Sequence, residues 1–189
     1  MSGIIKEIFM NKNAAIILAD GFEEVEAVTP VDLLRRAGIN VTIFGLSSQE
    51  VRGSHDIVIK TDRVFSSNQI LTDAVILPGG PGHKNLLNST VVSEYVQKAF
   101  LAGSLCAAIC AAPVVFGKAG ILAGKKVTCF PGCEDKLAGG IFIDQPVVVD
   151  GNIITSRGAG TAVPFAVEII SYLTDRSTAD KIAASIIYY

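Results

Sequence analysis

Residues Asn13–Leu46 read NAAIILADGFEEVEAVTPVDLLRRAGINVTIFGL. The opening run, Asn13–Ala19, is short and apolar and closes at Asp20-Gly21, which is the pattern of a buried strand. The segment that follows has acidic residues in its first turn, Arg35 and Arg36 in its last, and Gly38 at its end, the start and stop signals of a helix. Pro30 lies inside it and is expected to kink the helix or divide it. Asn40–Leu46 returns to strand. A strand, helix and strand of these lengths form a βαβ unit and set the fold class as α/β.

The alternation continues along the chain. Residues 51–64 alternate polar and β-branched types, as an edge hairpin would. Asp73–Gly80 (DAVILPGG) reads as a buried strand ending in a proline-glycine turn. Ser89–Gly103 is a helix with a serine cap and a closing glycine. Ser104–Ile109 is a strand, a helix begins after Cys110, and Lys125–Phe130 is a further strand. Gln145–Gly158 reads as a hairpin turning at Asp150-Gly151. Helices over about Thr161–Leu173 and Thr178–Ile187 finish the chain. The expected architecture is a mostly parallel sheet with helices on both faces. Residues 1–12 read as a short N-terminal extension, and residues 13–189 as one domain without repeats or linkers.

Half of the 189 residues are apolar and 18% are charged, which suits a sheet covered on both sides. The formal net charge is −2 without a basic tail, which argues against nucleic acid and anionic membranes as partners. Apolar runs stay far below the roughly 20 residues of a membrane span. The N-terminus has no small-residue cleavage site, so a cytoplasmic location is the expectation. The four cysteines form two C-x-x-x-C pairs, Cys106/Cys110 and Cys129/Cys133. A structural zinc site favours tighter knuckles with turn residues between the ligands, and the residues between Cys106 and Cys110 read as strand. No metal or cofactor is expected.

In open α/β sheets, ligand sites collect at the carboxyl ends of the strands. Cys110 stands at such an end, in LCAAICAAPVVFG (Leu105–Gly117), with small neighbours and Pro113 suited to the first turn of a helix. A helix N-terminus stabilises a thiolate, and the placement follows the logic of a nucleophile elbow. Placement alone leaves two roles open, a reactive thiol or a small buried hydrophobe. Glu26 shares a helical stripe with apolar Pro30, Leu33 and Ala37. A carboxylate there needs a partner or a proton, and if it met Cys110 the two groups would titrate together. Glu23 and Glu24 are read as complements of the helix dipole. Gly79 and Gly80 follow a strand and a proline, where exposed backbone N–H groups can stabilise an oxyanion. The late GAGT, Gly158–Thr161, can bind an anion or merely cap its helix. The two histidines, His55 and His83, both read as solvent-exposed, although His83 can approach the edge that carries Gly79-Gly80.

DGFEEVEAVTPVDLLRRAG, VILPGG, AAICAAP and ITSRGAGT together resemble the DJ-1 family within the DJ-1/PfpI (ThiJ) superfamily, in the family's order and across about residues 14–175. The resemblance implies a flavodoxin-like three-layer α/β sandwich and a homodimer. It implies Cys110 as the oxidisable nucleophile, Glu26 as its protonated partner, and backbone N–H groups near Gly80 and Ala111 as an anion pocket. The activities it implies are glutathione-independent glyoxalase or protein deglycase, acting on a small carbonyl substrate or a glycated protein. The alternative is an oxidative-stress sensor or redox-dependent chaperone in which Cys110 becomes a sulfinate. The sequence departs from the family in three places. Phe130 stands where many relatives have a histidine facing the cysteine. His55 stands where many have an arginine near the anion pocket and dimer interface, whereas Arg36 is retained there. Ala159 stands where proline is common. Ala111 occupies the position at which PfpI-type peptidases carry histidine, which disfavours peptidase chemistry, and the missing histidine also disfavours an amidotransferase triad.

Overall fold

The computed structural model describes residues 12–188. The expected N-terminal extension therefore lies outside the described residues, apart from Lys12, whose Nζ pairs with Asp73 at 3.0 Å. The first βαβ unit forms as read: β1 (Asn13–Leu18), α1 (Glu24–Arg36) and β2 (Asn40–Gly45), with β1 and β2 parallel. Next come the hairpin β3 (Glu50–Arg52) and β4 (Val58–Lys60), a short edge strand β5 (Arg63–Val64) and β6 (Ala74–Leu77). The helices α2 (His83–Asn88) and α3 (Thr90–Leu101) lead to β7 (Leu105–Ile109) and α4 (Pro113–Lys118). The chain closes with β8 (Lys126–Val127), β9 (Ile141–Phe142), β10 (Val147–Asp150), β11 (Ile153–Ser156), α5 (Ala162–Leu173) and α6 (Arg176–Ser185).

The main sheet has seven strands in the order β10-β11-β7-β6-β1-β2-β5. Its pairings are parallel except β10 with β11, the hairpin expected at Asp150-Gly151. Successive residues of β1 point to opposite faces. Ala14, Ile16 and Leu18 join one core with α1, α5 and α6, while Ala15 and Ile17 join a second with α2, α3 and α4. This is the three-layer sandwich, and it explains the near-continuous apolar runs of the strands.

Four expectations change. Helix α1 runs unbroken through Pro30, because Ala27, Pro30, Leu33 and Leu34 are all buried and packing on both sides of the proline holds the halves in line. Lys125–Phe130 is strand only at Lys126–Val127, and β8 pairs with β9 outside the main sheet. Beyond it, Thr128 N–H donates to Thr155 Oγ1 (2.8 Å) and Phe130 N–H donates to the Cys110 carbonyl (2.7 Å), so side-chain and turn bonds replace a ladder. The hairpin of residues 50–60 forms its own small sheet and is not an edge of the large one. The final helix starts at Arg176, two residues early, because Asp175 caps it by accepting from Thr178 N–H (2.8 Å).

Phe165 of α5 is fully buried between the helices and the sheet. Phe165→Ala is expected to lower unfolding free energy by about 3–5 kcal/mol through lost burial and the cavity left behind, measured by denaturant titration.

Candidate active site at the carboxyl edge of the sheet

The ends of β1, β6, β7 and β11 meet at one edge of the sheet, where a ligand site is expected in such folds. Cys110 follows β7 directly and has φ +64, a left-handed conformation that is strained for a residue with a side chain. The surroundings fix it. Its N–H donates to the Ser156 carbonyl (2.9 Å), and its own carbonyl accepts from Phe130 N–H (2.7 Å). Pro113 then opens α4 at its first position, as read from the sequence.

Glu26 enters from α1 and has no exposed surface. Gly79 N–H donates to its Oε2 (2.8 Å), while its Oε1 is buried without a hydrogen-bond partner. The carboxyl and the Cys110 thiol lie close enough to govern each other's ionisation. Gly79 explains how they meet. A Cβ there would stand 2.7 Å from Cys110 Cβ and 2.9 Å from Glu26 Oε2, so any side chain would drive the two groups apart. Gly80 has φ +77, and a Cβ on it would lie 2.6 Å from Glu23 N and from the Gly21 carbonyl.

Burial pushes the Glu26 carboxyl up to about 7, against the pull of the Gly79 N–H and the thiol. Burial and the Glu26 charge push Cys110 up to about 12, opposed by N–H groups of Gly80 and Ala111 at its sulfur. The two groups form one coupled acid whose first proton leaves near neutrality. Below that point Glu26 holds its proton, and the charge that opposes thiolate formation is gone. The other thiols differ. Cys106 and Cys129 are fully buried and burial pushes each up to about 12; Cys133 is partly exposed.

The sequence-derived candidates divide. Cys110, Glu26, Gly79, Gly80 and Ala111 come together. The N–H of Gly79 serves Glu26 and is not free for an oxyanion, so Gly80 and Ala111 carry the donors at the sulfur. Arg36 does not join them: it pairs with Asp32 (2.9 Å) at the far end of α1, ten residues or about 15 Å along the helix from Glu26. His55 lies beside the start of α1. Its Nδ1 is 3.0 Å from Glu24 Oε2, its backbone N–H donates to Glu24 Oε1 (2.7 Å), and Ser54 Oγ is within reach of both Glu23 (3.1 Å) and Glu24 (3.2 Å). Glu24 is thus more than a complement to the dipole. Burial alone would raise it, but the bonds from His55 and Ser54 hold it down at about 2. Ligand atoms of Glu23, Glu24 and His55 lie within 4.8 Å of one another, the spacing of a metal site, and the bonds of Ser54 to both carboxylates and of His55 to Glu24 already account for that spacing. The GAGT segment caps its own turn, since Thr161 Oγ1 accepts from Gly158 N–H (3.1 Å).

Two sets of contacts go beyond what the sequence reading specified. A Cβ on Gly158 would stand 3.5 Å from the Phe130 ring and 3.9 Å from Glu26 Oε1, so Gly158 lies between the half-exposed Phe130 and the buried carboxyl. His83 Nδ1 bonds the Gly80 carbonyl at 2.8 Å, and the ring is partly buried rather than free in solvent. Only the adjacency of His83 to the PGG turn signalled this.

Comparison with known proteins agrees with the geometry. The profile described as DJ-1/PfpI family matches residues 12–172. Protein dj-1beta of Drosophila melanogaster is 40% identical over 185 residues, covering 94% of this chain and 98% of that one. Its crystal structure superposes with a TM-score of 0.88 at 38% identity, covering 95% of this chain and 99% of that one. The Caenorhabditis elegans protein named glutathione-independent glyoxalase DJR-1.2 is 36% identical over 166 residues, covering 86% and 89% of the two chains. A structure described as Toxoplasma gondii DJ-1, oxidized, has a TM-score of 0.89 at 32% identity, covering 94% and 98%.

The raised Glu26 carboxyl has a consequence for stability. Its folded value of about 7 exceeds the unfolded 4.5, so its contribution is complete below pH 4.5 and lost as pH rises through 7. Relative to Glu26→Gln, the native protein is expected to lose ~3 kcal/mol between pH 4 and pH 8, read from guanidinium midpoints of both proteins across that range.

Proposed function

The chain belongs to the DJ-1/PfpI family, and on that premise we propose that it acts on small α-oxoaldehydes, or on the adducts they form with proteins, through Cys110 and Glu26. The observation that carries this reading is a partly exposed thiol beside a fully buried carboxyl that keeps its proton up to about 7. The name of the C. elegans relative agrees with it.

The reaction follows from those two groups. Cys110 transfers its proton to the carboxylate form of Glu26 and adds as thiolate to the aldehyde carbon. The carbonyl electron pair moves to oxygen, which takes the proton back from Glu26, giving a hemithioacetal. The Gly80 and Ala111 N–H groups lie beside the sulfur and would stabilise the charge that develops there. Glu26, now a carboxylate, removes the proton from the former aldehyde carbon to give an enediolate on the ketone oxygen; the hydroxyl proton passes to that oxygen, and as the carbonyl re-forms on the first carbon Glu26 returns its proton to the neighbouring carbon. The product is a 2-hydroxy thioester, and water releases the 2-hydroxy acid and the thiol. No net oxidation occurs. A carboxyl with a pKa near 7 can serve as acid and base in turn at neutral pH. A homodimer is part of the proposal. Half-exposed Val25 and Val28 on α1, with Ile57 and Val58 on the adjoining hairpin, offer an apolar surface for it.

A specific observation favours a second reading, oxidation of Cys110 to sulfinate in a sensor. Glu26 Oε1 is buried without a partner, in a carboxyl whose ionisation is coupled to the thiol, and that carboxyl when protonated would donate to a sulfinate oxygen.

Purified protein is expected to release D-lactate from methylglyoxal, Cys110→Ala to release none, and Glu26→Gln to be slower by at least ~100-fold. Equal rates in the three proteins would sink the mechanism. For the sensor, graded peroxide followed by intact and peptide mass is expected to add two oxygens at Cys110 before any other cysteine, and random oxidation of the four would exclude it.

A further inference from the structure

We propose that Thr161 is a positioning residue for the acid of the site: its hydroxyl fixes the Gly158 backbone against the Glu26 carboxyl and so keeps water from it. The inference rests on the reading of Glu26 as the proton partner of Cys110 and adds a side chain from the turn before α5.

The place of a glycine is set by the two peptides that flank it, and Thr161 grips both at Gly158. The Gly158 N–H donates to Thr161 Oγ1 (3.1 Å). The Gly158 carbonyl accepts from the Thr161 N–H (2.8 Å) and lies 2.8 Å from Thr161 Oγ1. Any residue at position 161 would supply the N–H. The bond to the other peptide needs a side-chain acceptor. A hydroxyl has one hydrogen and two lone pairs, so Thr161 accepts from Gly158 whether its own hydrogen goes to the Gly158 carbonyl or to Ser156. Ser156 Oγ lies 2.6 Å from Thr161 Oγ1 and 2.9 Å from the Pro146 carbonyl, and it ties the turn to the fully buried end of β11. The carbonyl of the same serine accepts the Cys110 N–H (2.9 Å). Helix capping does not account for Thr161. It is the N-cap of α5, yet its side chain receives no bond from that helix.

Glycine confines its own backbone less than any other residue, so these bonds decide where Gly158 lies. It lies between half-exposed Phe130 and Glu26, whose Oε1 is buried without a partner. A water admitted there would hydrogen-bond Oε1, relieve the desolvation that raises the carboxyl, and bring it down toward its usual range. The other groups that act on Glu26 are Cys110 after β7, Glu23 at the start of α1 and the Gly79 N–H after β6. Helix α5 brings apolar Ala162, Phe165 and Ala166 to the core it shares with α1. Arg157, next to Gly158, is paired with Asp144 and stands 6.0 Å from the centre of the Phe142 ring. Substituting Thr161 leaves every one of these charges in place.

The experiment is a titration of the Glu26 carboxyl by carbon-13 NMR in glutamate-labelled protein, the signal assigned by its loss in Glu26→Gln. Native protein, Thr161→Ser and Thr161→Val are compared, with melting temperatures in parallel. The native midpoint is expected at about 7. Thr161→Ser keeps the hydroxyl and should titrate within ~0.3 unit of it, whereas Thr161→Val keeps the shape alone and should titrate about 1 unit lower. In the same samples the Gly158 amide should exchange with solvent about tenfold more slowly in the native and Ser proteins than in Val. A Val midpoint equal to the native one, even with a lowered melting temperature, would overturn the proposal, because it leaves Thr161 a structural role only. So would a Ser midpoint as low as Val. A native Gly158 amide that exchanges as fast as one in an open turn would overturn it as well, without any variant having to fold. A native Glu26 that titrates as an ordinary carboxyl would overturn the reading of the site and this proposal with it. A native midpoint near 7 that Thr161→Val does not move would overturn only the role of Thr161.

Discussion

A carboxyl group without solvent contact, held against a thiol, is the constraint around which the carboxyl edge of this sheet is built. Taking an isolated carboxylate out of water is costly, and the group resolves the cost by keeping its proton. Glu26 does this, with a value pushed to about 7. The constraint then spreads outward through sterics. Gly79 must lack a side chain because Cys110 Cβ and Glu26 Oε2 occupy the space. Gly80 must turn left-handed and lie flat on Gly21–Glu23. Cys110 must itself accept a left-handed backbone, held by bonds to Ser156 and Phe130. Strain of order 1–3 kcal/mol at one residue persists only where neighbours over-determine it, and here they come from β11 and from the segment after β8.

The charges around the pair are arranged so that they do not collapse it. Glu23 raises the Glu26 carboxyl further, and Glu24 lies beside it in sequence. Left unpaired, both would add repulsion at the start of α1. The turn at Ser54-His55 meets them with a hydroxyl, a backbone N–H and an imidazole, and the same contact raises the His55 pKa. The small β3–β4 sheet, which looks peripheral, therefore serves the site by carrying that turn. Its isolated bridge between Phe22 and Gly53 fastens it to the same loop.

Short apolar runs between turn signals made the layers legible. The runs of β1 and β7, the end charges of α1, the serine cap of α3, and Pro113 after Cys110 all report local physics that tertiary contacts reinforce. The site was legible where local rules were broken: a glutamate on an apolar stripe, and a cysteine between a strand and a proline. What the sequence hid depends on contacts between distant segments. Pro30 argued for a break in α1, and packing of Leu33 and Leu34 overrode it. Thr128–Phe130 has strand composition, yet its donors go to Thr155 and Cys110. His55 is joined to Glu24 across 31 residues, and no spacing rule predicts such a pair. Gly158 reads as part of a cap, and only the folded chain puts it against Phe130 and Glu26.

The absence of a histidine at the sulfur bears on which chemistry the edge can support. Both His83 and His55 are engaged elsewhere through Nδ1, one on the Gly80 carbonyl and the other on Glu24. Cleaving an amide requires an acid that protonates a departing nitrogen and a base that later activates water. A single carboxyl locked in an apolar pocket serves that sequence poorly. Moving a proton between adjacent carbons of a bound hemithioacetal asks for less: one group, able to take and return the same proton, with no leaving amine. Phe130 contributes by being apolar. In its place a cation would draw Glu26 down toward ordinary carboxylate values, out of the range in which one carboxyl both takes and returns a proton at neutral pH. The departure that removes a base from the pocket also leaves no cation there to lower the remaining acid.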